Sequence, residues 1–357
     1  MTIETAWPDI YLTEDSALNI SVDQSPTAVT AFTFRRTSGE AVPLNASCRV
    51  NSLREFTQAM DPNAKGNYFN SLKYAFMQGG GPCYLIHKDE VAEEIGKYDD
   101  ITLVVTAGIE SDIFPWVEEM SQRSTPVFTL LNAPKNKIST NPAEVMKDYP
   151  AVTQAAAFHP WINVNGIDGL IPPSVAAAVA IAQTDRIRGV RKAPANVILN
   201  GAIPAFGITD DLQEQFNSGK ALNIIREFSD EGTRVWGART LDDYGDWRYI
   251  AVRRLFNSIA RDVKRALRSL LFMPNSSLVW IRVKAAVDNY LDALWRCGAL
   301  AGSTPKTSYF VEIGKDLTMT TEDINQVRMS VNVGIAPVRP AEFIVLSLTH
   351  QINNQMA

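Results

Sequence analysis

The sequence predicts a mixed α/β chain. Two patterns carry that prediction. Strand-like and helix-like runs alternate from about Pro82 to Val164, and two long helical patterns occupy 248–271 and 278–297. Alternation of this kind implies a largely parallel sheet covered by helices on both faces. The chain has 357 residues, enough for two ordinary domains, or one large one, with a real buried core. Apolar residues make up 46% and charged residues 20%, which excludes wholesale disorder. Charge is unevenly divided. Residues 1–180 hold 12 Lys/Arg against 21 Asp/Glu, a net of −9, and residues 181–357 hold 22 against 18, a net of +4. Such a split suggests that the two halves face different neighbours.

Taken in order, Ile10-Tyr11-Leu12 is a short strand-like run in acidic and polar surroundings, and Thr27 to Phe34 alternates as a strand. Cys83 to His87 is an apolar strand, and Asp89 is placed to cap a helix through Ile95. Ile101 to Thr106 is a buried strand, Ser111 to Gln122 a helix with Ser111 as N-cap, and Val127 to Leu131 a strand. Pro142 to Tyr149 is a short helix and Val152 to Phe158 a further strand. Pro172-Pro173 opens an Ala-rich helix reaching Asp185. Asp210 to Asn217 is a capped helix. Ile224 to Phe228 and Thr233 to Trp236 flank the turn Asp230-Glu231-Gly232. After the two long helices, Met329 to Gly334 and Glu342 to Leu348 alternate as strands on either side of Pro337…Pro340.

Enzyme chemistry finds little purchase. His87, His159 and His350 are isolated, and no paired metal-binding histidines occur. Cys48, Cys83 and Cys297 are too far apart for a zinc site and fit a reducing cytosol as buried thiols. Gly79-Gly80-Gly81 precedes a strand, whereas a phosphate-cradling loop opens a helix. Carboxylate pairs such as Asp99-Asp100 and Asp210-Asp211 sit where turns and caps require them. The expectation is no catalytic, cofactor-binding or metal-binding residue. No apolar run reaches the ~18 residues of a membrane span, Met1 to Tyr11 does not read as a secretory signal, and the net charge of −5 argues against nucleic acid as a partner.

The basic helix is the most informative stretch. Between Trp247 and Phe272 stand seven basic residues and one acid, Asp262. At 100° per residue Arg254, Arg261, Arg265 and Arg268 share a stripe, with Lys264 beside them, opposite Val252, Ile259, Val263, Ala266 and Leu270. The stripe lacks acidic partners four residues away. The expectation is a docking surface for an acidic partner, with a plain solvated face as the alternative.

Several blocks in the second half resemble the contractile tail sheath proteins of phages, pyocin-like particles and extracellular contractile injection systems. They are Pro172-Pro173-Ser174, Thr184-Asp185-Arg186 and Gly189 to Asn196 (GVRKAPAN), Val235 to Leu241 (VWGARTL), Trp247 to Phe256, Leu294 to Leu300, and Val333 to Val345. Trp7-Pro8-Asp9-Ile10-Tyr11 is similar to the family's start, with Asp9 where a glycine is usual. The resemblance covers roughly residues 170–350, and residues 37–150 match only weakly.

The resemblance implies a two-domain subunit: an N-terminal arm at 1–24, an outer α/β domain at 25–170, a sheath core domain at 171–340 and a C-terminal arm at 341–357. It implies a structural protein that surrounds an inner tube and contracts to drive it through a target envelope. Hexameric rings stacked helically, an inner tube protein, baseplate and terminal cap proteins, and sister sheath proteins are the implied partners. Synthesis in the cytoplasm and assembly into a phage tail or released tail-like particle follow. Arms of this family add strands to neighbouring subunits, which here implicates Ile10, Tyr11 and Leu12, and Glu342, Phe343, Ile344, Val345, Leu346, Ser347 and Leu348. The basic stripe of Arg254, Arg261, Lys264, Arg265 and Arg268 would face the tube. The alternative is a cytosolic, nucleotide-dependent α/β enzyme.

Overall fold

The alternation between Pro82 and Val164 builds the middle of a nine-stranded sheet. The computed structural model describes residues 20–35, 43, 47–60, 66–109, 111–123, 125–138, 141–217, 219–242 and 245–342. The chain forms two units. One comprises 24–261 with 337–357, here the sheet unit; the other comprises 1–23 with 262–336, here the helical unit.

The sheet unit opens with β1 (Thr30–Phe34), β2 (Ser47–Val50), α1 (Leu53–Ala59), α2 (Asn67–Met77), β3 (Cys83–His87), α3 (Val91–Lys97) and β4 (Leu103–Val105). It continues with α4 (Phe114–Gln122), β5 (Phe128–Asn132), α5 (Pro142–Val145), β6 (Ala155–His159), β7 (Ile162–Val164), β8 (Ile167–Ile171) and α6 (Pro173–Arg188). Then come β9 (Val197–Ile198), β10 (Ala202–Pro204), α7 (Asp210–Gln215), β11 (Leu222–Phe228), β12 (Gly232–Trp236) and α8 (Ile250–Leu267), which runs on past position 261.

The large sheet has the order β2-β3-β1-β4-β5-β6-β11-β12-β9. Its six central strands are parallel, and antiparallel strands close both ends. Side chains alternate between two cores, as the period of two demands. Phe32, Phe34, Leu103, Val105, Phe128 and Leu130 join α2 and α6 on one face, while Ala31, Val104, Leu131, Ala155 and Ala157 face Ile95, Val117 and Phe216 on the other. Burial on both faces explains why β4 and most of β3 read as continuous apolar runs. β10, β7 and β8 form a separate three-stranded sheet.

Two sequence expectations need correction. Asp89 lies inside a 3₁₀ turn, Lys88–Glu90, whose preceding residue is His87, and α3 begins only at Val91. Ser111 likewise starts a 3₁₀ turn ahead of α4. The boundary expected at 170/171 falls inside β8, and β11 pairs with β6 through Leu222↔Ala157, so strands from both sides of that boundary share one sheet. The parallel β6–β11 ladder needs a long crossover, which 160–221 supplies.

The helical unit contains the end of α8, then α9 (Ser277–Arg296), α10 (Pro305–Ser308), β13 (Tyr309–Glu312), α11 (Thr321–Asn325) and β14 (Asn332–Ile335). Val279, Val283, Val287, Leu291 and Leu294 form one buried stripe of α9, at the three- and four-residue spacing a helix face requires. Tyr290 Oη donates to the Asp262 carboxylate at 2.8 Å within this unit.

Candidate assembly sites

β13 and β14 form an antiparallel ribbon of only two strands, with Tyr309↔Ile335, Phe310↔Gly334 and Val311↔Val333 in register. One face is packed: Val311 is buried, β13 lies against α9, and Lys284 Nζ donates to the Val311 carbonyl. The other face carries Phe310, 54% exposed, with its ring lying over Gly334. A Cβ at Gly334 would overlap that ring, so the glycine is there for close approach. Among the described residues neither outer edge of the ribbon pairs with a further strand. Two isolated strands are marginal in water, and open edges are templates for another chain.

The segment leading into β1 is held by arginines. Arg254 donates to Asp185 Oδ1 at 3.0 Å and Oδ2 at 2.6 Å, and to the Thr27 carbonyl at 2.8 Å. Thr27 Oγ1 also donates to Asp185 Oδ2, at 2.5 Å. One turn-pair along α8, Arg261 donates to Ser25 Oγ at 3.1 Å and the Pro26 carbonyl at 3.2 Å. Within the helical unit Arg265 donates to the Asp23 carbonyl at 3.0 Å.

The segment after β14 is held differently. Glu342 meets Arg239, whose Nε donates to Oε1 at 3.2 Å and Oε2 at 3.0 Å, and Arg339 pairs with Asp246 at the surface. No group of metal-ligating side chains occurs among the described residues, and no described helix is long and apolar enough to cross a membrane.

Residues 242–350 match the family model of the phage tail sheath C-terminal domain. Over 99% of its length, and all of the other chain's, the protein is similar to the PVC sheath complex of an extracellular contractile injection system in the contracted state, with 42% identity and a TM-score of 0.88. The chain belongs to the contractile sheath protein family. It is also similar to a chain of the anti-feeding prophage baseplate in the contracted state, at 45% identity, TM-score 0.88 and coverage of 98% of this chain and 100% of that one. A third likeness is to the helical sheath of the same prophage in the contracted state, at 36% identity, TM-score 0.83 and coverage of 97% and 100%. No curated protein sequence matches.

Membership of the sheath family was legible in the sequence, and these relatives lend no support to the enzyme alternative. Gly79-Gly80-Gly81, the only stretch with a phosphate-loop flavour, closes α2: Gly79 N–H donates to the Phe76 carbonyl at 3.0 Å and Gly80 N–H to the Ala75 carbonyl at 2.9 Å.

The basic stripe of this sheath protein is split by the structure. Arg254 and Arg261 are buried, so they do not offer an exposed face. Their acceptors are supplied by residues distant in sequence, 69 positions away for Asp185 and more than 230 for Ser25 and Pro26, which local spacing could not reveal. Lys264, Arg265 and Arg268 are exposed, and the exposed apolar side chains Leu271, Phe272, Leu278 and Ile281 follow in the helical unit. Of the residues expected to donate strands, Glu342 is described and is paired with Arg239; Ile10, Tyr11, Leu12, Phe343, Ile344, Val345, Leu346, Ser347 and Leu348 lie outside the described residues. The ribbon strand β13 was missed by sequence reasoning. Its signal was the β-prone run Tyr309-Phe310-Val311.

Proposed function

We propose that copies of this sheath subunit polymerise as helically stacked hexameric rings around an inner tube, and that the polymer shortens to drive the tube through a target envelope. The two-stranded ribbon β13·β14 carries this reading, because its open edges suit strands added by the arms 1–24 and 341–357 of neighbouring subunits. Donation from one subunit to the next is a head-to-tail contact, which builds rings and filaments rather than closed dimers. Each added strand bond contributes about 0.5–1.5 kcal/mol net, so several keep subunits linked while rigid bodies rotate.

The exposed Lys264, Arg265 and Arg268 are the part of the basic helix that faces an acidic tube. Contacts of this kind are worth ~0–1 kcal/mol each and can be shed during contraction. Baseplate, terminal cap and sister sheath proteins complete the partners. The subunit is made in the cytoplasm, acts as a structural protein without catalysis, and draws the work of contraction from differences in packing between two states.

The test is a full-length Ile344→Pro/Leu346→Pro variant, since proline removes ladder donors. It should fold with an unchanged melting temperature and form no cylinders in negative-stain images. Normal cylinders would refute strand donation by the C-terminal arm.

A further inference from the structure

Residues 337–342 lie at the surface of the sheet unit, with Val338, Arg339 and Ala341 exposed. Pro337 and Pro340 stiffen the segment by fixing φ. The backbone of Glu342 is exposed as well, yet its side chain is only 20% exposed because it turns inward to Arg239, whose side chain is 9% exposed. The other tie on this segment, Arg339 with Asp246, has both side chains largely in solvent, where a pair holds little.

Arg239 is set in place without help from Glu342. Its backbone N–H donates to Asn223 Oδ1 at 2.8 Å, and Asn223 Nδ2 donates back to the Arg239 carbonyl at 2.8 Å and to the Ala157 carbonyl at 3.1 Å. Asn223 is buried on β11, and it lies so close to Gly237 that a Cβ there would come within 2.8 Å of its Oδ1. The guanidinium is oriented from the far side as well. Arg239 Nη1 donates to the Asn217 carbonyl, which also accepts from Arg248 Nη2 at 2.5 Å. What remains is one edge of the guanidinium, Nε and Nη2, aimed outward. A planar fork of this kind takes a carboxylate at two points, and Glu342 provides it.

We propose that Arg239 is a preformed carboxylate socket that positions the C-terminal arm: by seizing Glu342 it fixes where, and in which direction, the residues beyond 342 leave the sheet unit. This rests on strand donation by the C-terminal arm, as proposed above. A strand must arrive in register to pair, and slipping by one residue turns every side chain to the wrong face. A clasp on the residue just before the strand removes that freedom and lowers the ordering cost of reaching a neighbour.

The test uses full-length Glu342→Gln and Arg239→Lys beside wild type and the Ile344→Pro/Leu346→Pro variant. Glu342→Gln keeps the socket and its bonds to Asn217, so its fold should be intact even if Arg239→Lys is damaged. Hydrogen exchange of the peptide covering 338–342 in dispersed subunits should accelerate at least tenfold in Glu342→Gln, with β11 and β12 unchanged. Cylinder yield in negative stain should fall at least tenfold, with an unchanged melting temperature. Unchanged exchange would show that the pair does not hold the segment. Faster exchange with normal cylinder yield would show that the clasp does not position the arm. Either result overturns the proposal. Normal cylinders from the proline variant would instead overturn strand donation itself, so the two failures are told apart.

Discussion

Arg254 on α8 holds Asp185 near the end of α6 in a two-point ion pair whose side chains are 3% and 4% exposed. The same guanidinium binds the Thr27 carbonyl, so one residue ties two helices of the sheet unit to the strand entry. Removing one partner of a buried pair strands the other charge, at about 3–5 kcal/mol. Arg254→Ala should therefore lower unfolding free energy by about that amount, measured by urea denaturation. Arg254→Met with Asp185→Leu should recover most of the loss.

Gly334 should tolerate no side chain. Its Cβ would displace the Phe310 ring from the open face of the ribbon. Gly334→Ala should leave the subunit folded, since the clash is with the half-exposed Phe310 side chain alone, but abolish cylinder formation in negative stain. Phe310→Ala should weaken assembly less, because it removes the cover without crowding the open face.

His159 is fully buried at the end of β6, and neither ring nitrogen has a hydrogen bond of ordinary geometry. Burial lowers its pKa to about 4, against a smaller raising influence of the Pro134 backbone. The folded value lies below the unfolded ~6.5, so the neutral ring's contribution is complete above pH ~6.5 and is lost as pH falls toward 4. The gap corresponds to about 3 kcal/mol. His159→Leu should flatten that part of the stability–pH curve in denaturation at pH 7 and 4.5. A wild-type slope surviving in the variant would assign the effect elsewhere.

The split of the basic stripe gives a contrast. Lys264→Glu should reduce co-assembly with tube protein while changing stability by within about 0.5 kcal/mol. Salt should mimic the effect, because exposed charges are screened over about 8 Å at physiological ionic strength. Arg261→Glu should instead destabilise the subunit, since Arg261 grips Ser25 and Pro26. Thermal melts beside pelleting with tube protein would separate these outcomes.

Much of the sheet unit was legible because parallel strands buried on both faces leave apolar runs such as Leu103–Val105 and the first four residues of Cys83–His87. The family was legible from ordered blocks in the second half. β9 and β10 were not, being two and three residues long and held by pairing rather than pattern. The basic helix misled for a physical reason. Helical spacing shows which residues share a face but not what covers it, and Asp185, the Ser25 hydroxyl and the Pro26 and Thr27 carbonyls cover Arg254 and Arg261 from afar. Arg239 stood inside the VWGARTL block, but its role gave no signal in sequence, since it depends on Asn217, Asn223 and Glu342 meeting in space.

Electron microscopy of the purified chain bears most directly on the central claim. Concentrated wild-type protein, with or without tube protein, should form hollow cylinders whose helical reconstruction shows a strand of one subunit beside the β13·β14 ribbon of the next. Discrete particles alone at every concentration, or cylinders in which both ribbon edges stay unpaired, would contradict it.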